Sequence, residues 1–239
     1  MNATVLLVFQ FCACWLRCSG FEVLRQLVRQ LERSPNGLVL PGDEMYSKVL
    51  KQVNSLDNSN DLPFQLDSLV GTWYVWFHDF RLDRSTSLAS LVESRSTGSR
   101  NLPVEVLTLI SRFHRFDKIM QVGKCEMSVL FNVQSLEHIY LFCMEGTYRE
   151  TGLAPPRFIT HYLSSRIDTW DPFVKEEGLR QLAEIGGVDV AQASLDPLPS
   201  PGWIDIKHFT EDGQVLVVEN NEGFTTVMTK IMATAGGAN

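Results

Sequence analysis

The sequence predicts a mainly β protein: an antiparallel barrel preceded by two helices, with a helical insertion before its last strands. Three observations carry this reading. From Gly71 the apolar period turns from helical to alternating, and Gly71-Thr72-Trp73-Tyr74-Val75-Trp76-Phe77 places Trp73, Val75 and Phe77 on one face of a strand. Six further strand-like runs follow, at 126–133, 139–148, 158–168, 203–210, 214–219 and 224–231. Several are bounded by turn residues, such as Glu211-Asp212-Gly213 and Asn220-Asn221-Glu222-Gly223. One β-poor stretch, 175–201, interrupts them; Leu179, Leu182 and Ile185 keep helical spacing there before a Pro-rich tail. Many strands with mainly short connections are what an antiparallel barrel produces.

The elements before the barrel follow in order. Thr4 to Leu16 is nearly all apolar, carries no charge until Arg17 and leads to Cys18-Ser19-Gly20, so residues 1–20 are expected to be a signal peptide cut after Gly20; the alternative is an anchor that stays. Residues 21–62 form a helical segment. Within it Val23, Leu24, Leu27, Val28 and Leu31 recur at helical spacing, and Met45, Val49, Val53 and Leu56 make a second stripe. Ser34-Pro35-Asn36-Gly37 and Pro41-Gly42-Asp43 punctuate the two, and a polar stretch at 57–61 leads into Pro63, where the barrel domain (63–239) begins. Residues 85–101 are Ser- and Arg-rich and read as a loop. Segment 103–121 fits both periods: Val104, Val106, Thr108 and Ile110 alternate, while Val104, Leu107 and Ile110 suit a helix, and strand is favoured.

A net charge of −7 argues against a nucleic-acid surface, which needs clustered Lys and Arg to neutralise phosphates. Arg112-Phe113-His114-Arg115-Phe116 interleaves basic and aromatic residues but is one short run, and an exposed strand face accounts for it. No nucleophile elbow, P-loop or dinucleotide fingerprint occurs. His78, His114, His138, His161 and His208 are scattered one per segment, without zinc spacing. Asp168, Asp171 and Asp205 stand next to aromatic residues and are the carboxylates to weigh for acid–base chemistry, although Asp168-Thr169-Trp170-Asp171-Pro172 reads more simply as a turn. Of five cysteines, Cys125 and Cys143 lie outside the presequence; both sit in apolar runs, which favours buried thiols over one bridge.

Small barrels either fill their interior or enclose one small ligand. The candidate ligand-binding residues are Val75 and Phe77 on the first strand, then Met127, Val129 and Phe131, then Tyr140, Phe142 and Met144. Periodicity fits a cavity and a dry core equally.

Leu66-Asp67-Ser68-Leu69-Val70-Gly71-Thr72-Trp73-Tyr74-Val75 resembles the opening strand of the plastid lipid-associated proteins, or fibrillins, and it follows paired helices, Leu24 to Arg33 and Met45 to Leu56, spaced as in that family. Gly202-Trp203-Ile204-Asp205-Ile206, Asp212-Gly213-Gln214-Val215-Leu216-Val217 and Gly223-Phe224-Thr225-Thr226-Val227-Met228-Thr229-Lys230 resemble its closing strands. The chain departs from the family at Glu219-Asn220, where an Arg-Gly pair is usual, and in 175–201, which has no clear counterpart. The resemblance implies a lipocalin-like barrel that binds lipids, carotenoids or quinones without catalysis and without a cofactor, at plastoglobules or thylakoids; the alternatives are a lipocalin-fold enzyme acting on a lipid or carotenoid, or a lipid-body coat protein without an internal ligand. A hydrophobic small molecule is the implied partner, with peripheral contact to lipid surfaces. In the lipocalin-like pattern the G-x-W indole, here Trp73, packs at the barrel base beneath a cation from the last strand, here Lys230. Plastid entry through a signal peptide followed by an aromatic residue, Phe21, is the expected address; secretion is the alternative.

Overall fold

In the computed structural model, residues 23–33, 37–56, 66–79, 102–152, 156–186, 202–210 and 212–231 are described. The expected signal peptide, the polar stretch at 57–61, the loop at 85–101 and residues 187–201 of the insertion lie outside them. Eight strands form a closed antiparallel barrel in chain order: β1 (Gly71–His78), β2 (Val104–Phe113), β3 (Gly123–Val133), β4 (Ile139–Glu150), β5 (Arg157–Thr169), β6 (Gly202–Phe209), β7 (Val215–Asn220) and β8 (Thr225–Ile231). The ambiguous segment after Pro103 is therefore the strand β2. Because β1 pairs with both β2 and β8, the sheet closes on itself in the lipocalin-like manner. Helices α1 (23–32) and α2 (Tyr46–Asn54) precede the barrel, α3 (Leu66–Leu69) leads into β1, and α4 (Lys175–Gly186) lies between β5 and β6.

Two apolar clusters share the barrel wall. One fills the inside and includes Trp73, Val75, Leu109, Phe131, Tyr140, Phe142, Leu216 and Met228. The other lies outside, where Leu24, Leu27, Val28 and Leu31 of α1 and Val49 and Val53 of α2 meet Phe77, Val215, Val217 and Val227. Strand β7 therefore buries both faces, Leu216 and Val218 inward and Val215 and Val217 under the helices. Its unbroken apolar run suits a strand covered on both sides. Val23, part of the expected stripe, is instead exposed.

The expected single face of Trp73, Val75 and Phe77 is broken by a bulge at Trp76. Along β8, Val75 pairs with Met228 but Phe77 pairs with Val227, so Trp76 is the extra residue. A one-residue shift moves every later side chain to the other face. Phe77 thus points out of the barrel, fully buried and stacked on Tyr46 of α2 with ring centroids 5.6 Å apart, while His78 turns inward. Beyond Val75 the β1–β2 ladder stops, and the segment between the first two helices takes its place. The Val39 N–H donates to the Trp76 carbonyl at 2.8 Å, and the Val39 carbonyl accepts from His78 N–H at 3.2 Å. Leu38 and Leu40 on either side of it belong to the inner cluster, and Val39 belongs to the outer one.

At the barrel base, the indole of Trp73 is fully buried and donates through Nε1 to the Leu69 carbonyl at 2.8 Å. Lys230, its partner across the β1–β8 seam, sits 5.4 Å from the ring centroid and donates through Nζ to the Ser68 carbonyl at 3.0 Å. This is the cation expected over Trp73. Partial burial lowers the Lys230 pKa through desolvation. Gly71 makes the arrangement possible: its φ is +142°, and a Cβ there would lie 2.5 Å from Lys230 Cε. Replacing Gly71 with Ala is expected to cost about 1–3 kcal/mol in urea unfolding, from backbone strain and from pushing the lysine off the indole. In a Lys230→Ala background the same replacement should cost measurably less; equal costs in both backgrounds would show that the lysine has no part in it.

Candidate functional site

The inward positions of the strands line up in rows across the wall. One row runs Val75–Leu109–Val129–Phe142–Ile167, and the next runs Trp73–Ser111–Met127–Met144–Ser165. A third joins Phe131 to Tyr140 and Thr169. Seven of the eight candidate residues, Val75, Met127, Val129, Phe131, Tyr140, Phe142 and Met144, therefore meet in or against the inner cluster. Phe77 does not, because the Trp76 bulge turns it to the helices. Periodicity within one strand carries no sign of a bulge that pairing with β8 creates.

Both ends of this interior are closed by large side chains. At the base Phe113 meets Tyr148 edge-on at 5.4 Å, Phe158 and Phe116 flank Tyr148 at 6.1 and 5.9 Å, and Phe209 lies 6.4 Å from Trp73. At the other end α4 packs Leu182, fully buried, and Leu179 against the inner cluster. Gly178 lets the helix lie close, since a Cβ there would be 2.7 Å from Thr169 Cγ2. Its carbonyl accepts a hydrogen bond from Tyr140 Oη at 3.1 Å. Burial raises the Tyr140 phenol to about 12 and so keeps it a neutral donor.

Between these ends the inner wall is not uniformly buried. Met127 and Tyr162 lie near the middle of β3 and β5, face inward, and yet keep accessible surface. β5 pairs with β6 only from Arg157 to Thr160, so beside Tyr162 the wall has no paired neighbour on that side among the described strands. Inward polar groups interrupt the apolar lining: Thr160, Ser165 and Thr169 on β5, and His78 with its Nδ1 2.9 Å from Thr226 Oγ1. Of the charged side chains at inward positions of the described strands, Lys230 is held at the base and Glu150 is exposed at the rim. The described inner wall is thus mostly apolar with a few hydroxyls, and the barrel is compatible with binding a small molecule.

The groups weighed for chemistry are engaged elsewhere. Asp205 forms a two-pronged pair with Arg157, at 2.6 and 2.8 Å. Asp168 pairs with Lys175 at 2.8 Å, and Asp171 caps the short turn Pro172–Val174 by accepting from Phe173 N–H. His114 lies 2.7 Å from Glu126. Among the described residues no cluster of His, Cys, Asp or Glu could hold a metal ion. Cys125 and Cys143 are free thiols. Cys125 faces inward, where burial and then the Glu126 charge raise its pKa to about 12, whereas Cys143 faces outward beside Ser128. Neighbouring strands present them to opposite faces, so they do not pair.

Sequence reading missed one surface feature. The β2–β3 connection is a tight loop in which Asp117 Oδ1 accepts from Ile119 N–H and Met120 N–H, and Asp117 and Val122 bridge its neck. It holds Ile119 and Met120 outward, 93% and 70% exposed, beside Lys118. Two adjacent bulky apolar residues in a turn were the available signal.

The fold is a closed β-barrel compatible with binding a small molecule. The chain matches no family model, no curated protein and no solved structure.

Burial pushes the His78 imidazole down to about 4, so it is neutral in the folded barrel at pH 7. The unfolded chain, with an ordinary imidazole, takes up a proton as pH falls through about 6.5, whereas the folded chain takes it up only near 4. The stability tied to His78 is therefore complete above about pH 6.5 and lost towards pH 4, a total on the order of 3 kcal/mol. Urea midpoints measured from pH 7.5 to 4.5 should fall more steeply for the native chain than for His78→Gln.

Proposed function

We propose that this chain is a non-catalytic binding protein for small hydrophobic molecules, of the kind that the fibrillin resemblance implies: lipids, carotenoids or quinones held in the plastid, at plastoglobules or thylakoids. The observation that carries the reading is the apolar inner wall with accessible surface at Met127 and Tyr162, closed at both ends by bulky side chains. Apolar area removed from water contributes roughly 25 cal/mol per Å2, so such a wall supplies affinity without any charged contact. A non-catalytic role is supported by the carboxylates, each of which serves an ion pair or a cap.

A second reading, that the protein coats a lipid surface, rests on the β2–β3 loop. Ile119 and Met120 together can bury apolar surface in a lipid interface while the Asp117 cap holds the loop rigid. The two readings are compatible, since peripheral contact would bring the barrel to its ligand's source.

Native mass spectrometry and solvent extraction of the purified chain are expected to find a co-purifying apolar molecule, and a fluorescent lipid should be taken up saturably. Met127→Trp, which fills the interior, should weaken that uptake about tenfold, whereas Phe77→Leu, on the helix side, should leave it within about twofold. Neither a co-purifying molecule nor saturable uptake would sink the interior reading. Loss of vesicle flotation in Ile119→Ser/Met120→Ser would identify the loop as the lipid contact. Fusing residues 1–40 to a fluorescent protein tests the address: fluorescence in the plastid supports it, and fluorescence in the medium overturns it.

A further inference from the structure

We propose that Ser165 and Tyr162 form a polar seat inside the barrel for the hydroxyl or carbonyl end of an uncharged lipid, so that the protein selects neutral amphiphiles over fatty-acid anions and over plain hydrocarbons. This rests on the reading that the interior takes an apolar molecule.

Ser165 stands opposite Met144 on the inner face of β5, and its side chain is only 7% exposed. Its Oγ is buried without a hydrogen-bond partner among the described residues. A buried hydroxyl without a protein partner is an arrangement that native proteins seldom tolerate without a reason. Tyr162 stands on the same face, opposite Gly146, whose missing Cβ lets the β5 backbone approach closely: a Cβ there would lie 2.2 Å from the His161 carbonyl oxygen. A bulge between the Glu145 and Gly146 pairings with β5 removes one residue from the alternation, so both Tyr162 and Ser165 point inward although they are three apart. Tyr162 packs against the inner cluster, keeps accessible surface, and shows no hydrogen bond from its Oη among the described residues. Burial raises its phenol, which holds the group neutral and able to donate.

The surroundings set the ligand class. Met127 and Met144, side by side on the facing strands, are flexible thioethers that adapt to an irregular apolar body. Among the described residues the cations of the neighbouring strands are engaged elsewhere: Arg166 with Glu145 on the outer face, Arg157 with Asp205, and Lys230 with the base carbonyl of Ser68. An anion placed here would lose its hydration without a counter-charge. A hydroxyl or carbonyl oxygen, by contrast, accepts from Ser165 or Tyr162 and gives the Ser165 hydroxyl the partner it lacks. A hydrocarbon of the same shape leaves both hydroxyls as they are.

Three probes with one polyene body separate these cases: retinol, retinoate and the corresponding deoxygenated hydrocarbon, titrated into the full chain at pH 7.5 with tryptophan quenching as readout. Retinol should bind about tenfold or more tightly than either of the others. Ser165→Ala and Tyr162→Phe should each erase most of that preference and leave hydrocarbon binding unchanged, and Ser165→Ala should raise the melting temperature of the ligand-free protein, since it removes an unpaired buried hydroxyl. Equal binding of all three probes, tighter binding of retinoate, or a retinol preference that survives both replacements would overturn the seat while leaving the interior reading intact. No uptake of any probe would overturn both.

Discussion

Closing a sheet into a barrel requires the first strand to find the last, and in this protein the seam is held by a lysine, an indole and a glycine acting together. Lys230 can cover Trp73 only because Gly71 has no Cβ, and it can shed its water there only because Ser68 offers a carbonyl at 3.0 Å. The indole in turn spends its one donor on Leu69. Both backbone acceptors come from α3, which Trp73 and Lys230 thereby fix across the base. Without the seam β1 and β8 would be open edges, and the two apolar clusters, which meet across those strands, would have no common wall.

That common wall explains why the outer helices belong to the fold. Strands β1, β7 and β8 carry apolar side chains outward as well as inward, through Phe77, Val215, Val217 and Val227. Such faces cannot be left to water, and α1 and α2 cover them. Segment 37–40 ties the helices in twice, by its backbone to β1 and by Leu38 and Leu40 to the interior. Tyr46 adds a third tie from α2, with its ring on Phe77 and its hydroxyl on Asp79; burial, then the Asp79 bond, lifts that phenol to about 12.

Most of the barrel could be read along the chain because its code is local: alternation for the strands, Asp212-Gly213 and Asn220-Asn221-Glu222-Gly223 for the last turns, a glycine two residues before a tryptophan for the opening. The positions of β3 to β8 follow the alternating runs closely, and α4 follows Leu179 and Leu182. What could not be read depends on pairing between distant strands. The bulge at Trp76 arises where β8 and Val39 both engage β1, and it alone takes Phe77 out of the interior. The bulge in β5 likewise places Ser165 and Tyr162 on one face, although their spacing along the strand would separate them. One global feature was readable and passed over: the unbroken apolar run Val215 to Val218, the mark of a strand buried on both sides.

The two-sided burial of β7 also sets an order of events during synthesis. The apolar stripes of α1 and α2 leave the ribosome early, but the strand faces that cover them, Val215, Val217 and Val227, come last. Until then roughly 160 residues of chain are made while those stripes lack their cover from β7 and β8, for a time on the order of ten seconds at usual elongation rates. The helices are thus made before the strands that cover them, and their stripes wait longer for that cover than they would if the helices followed the barrel.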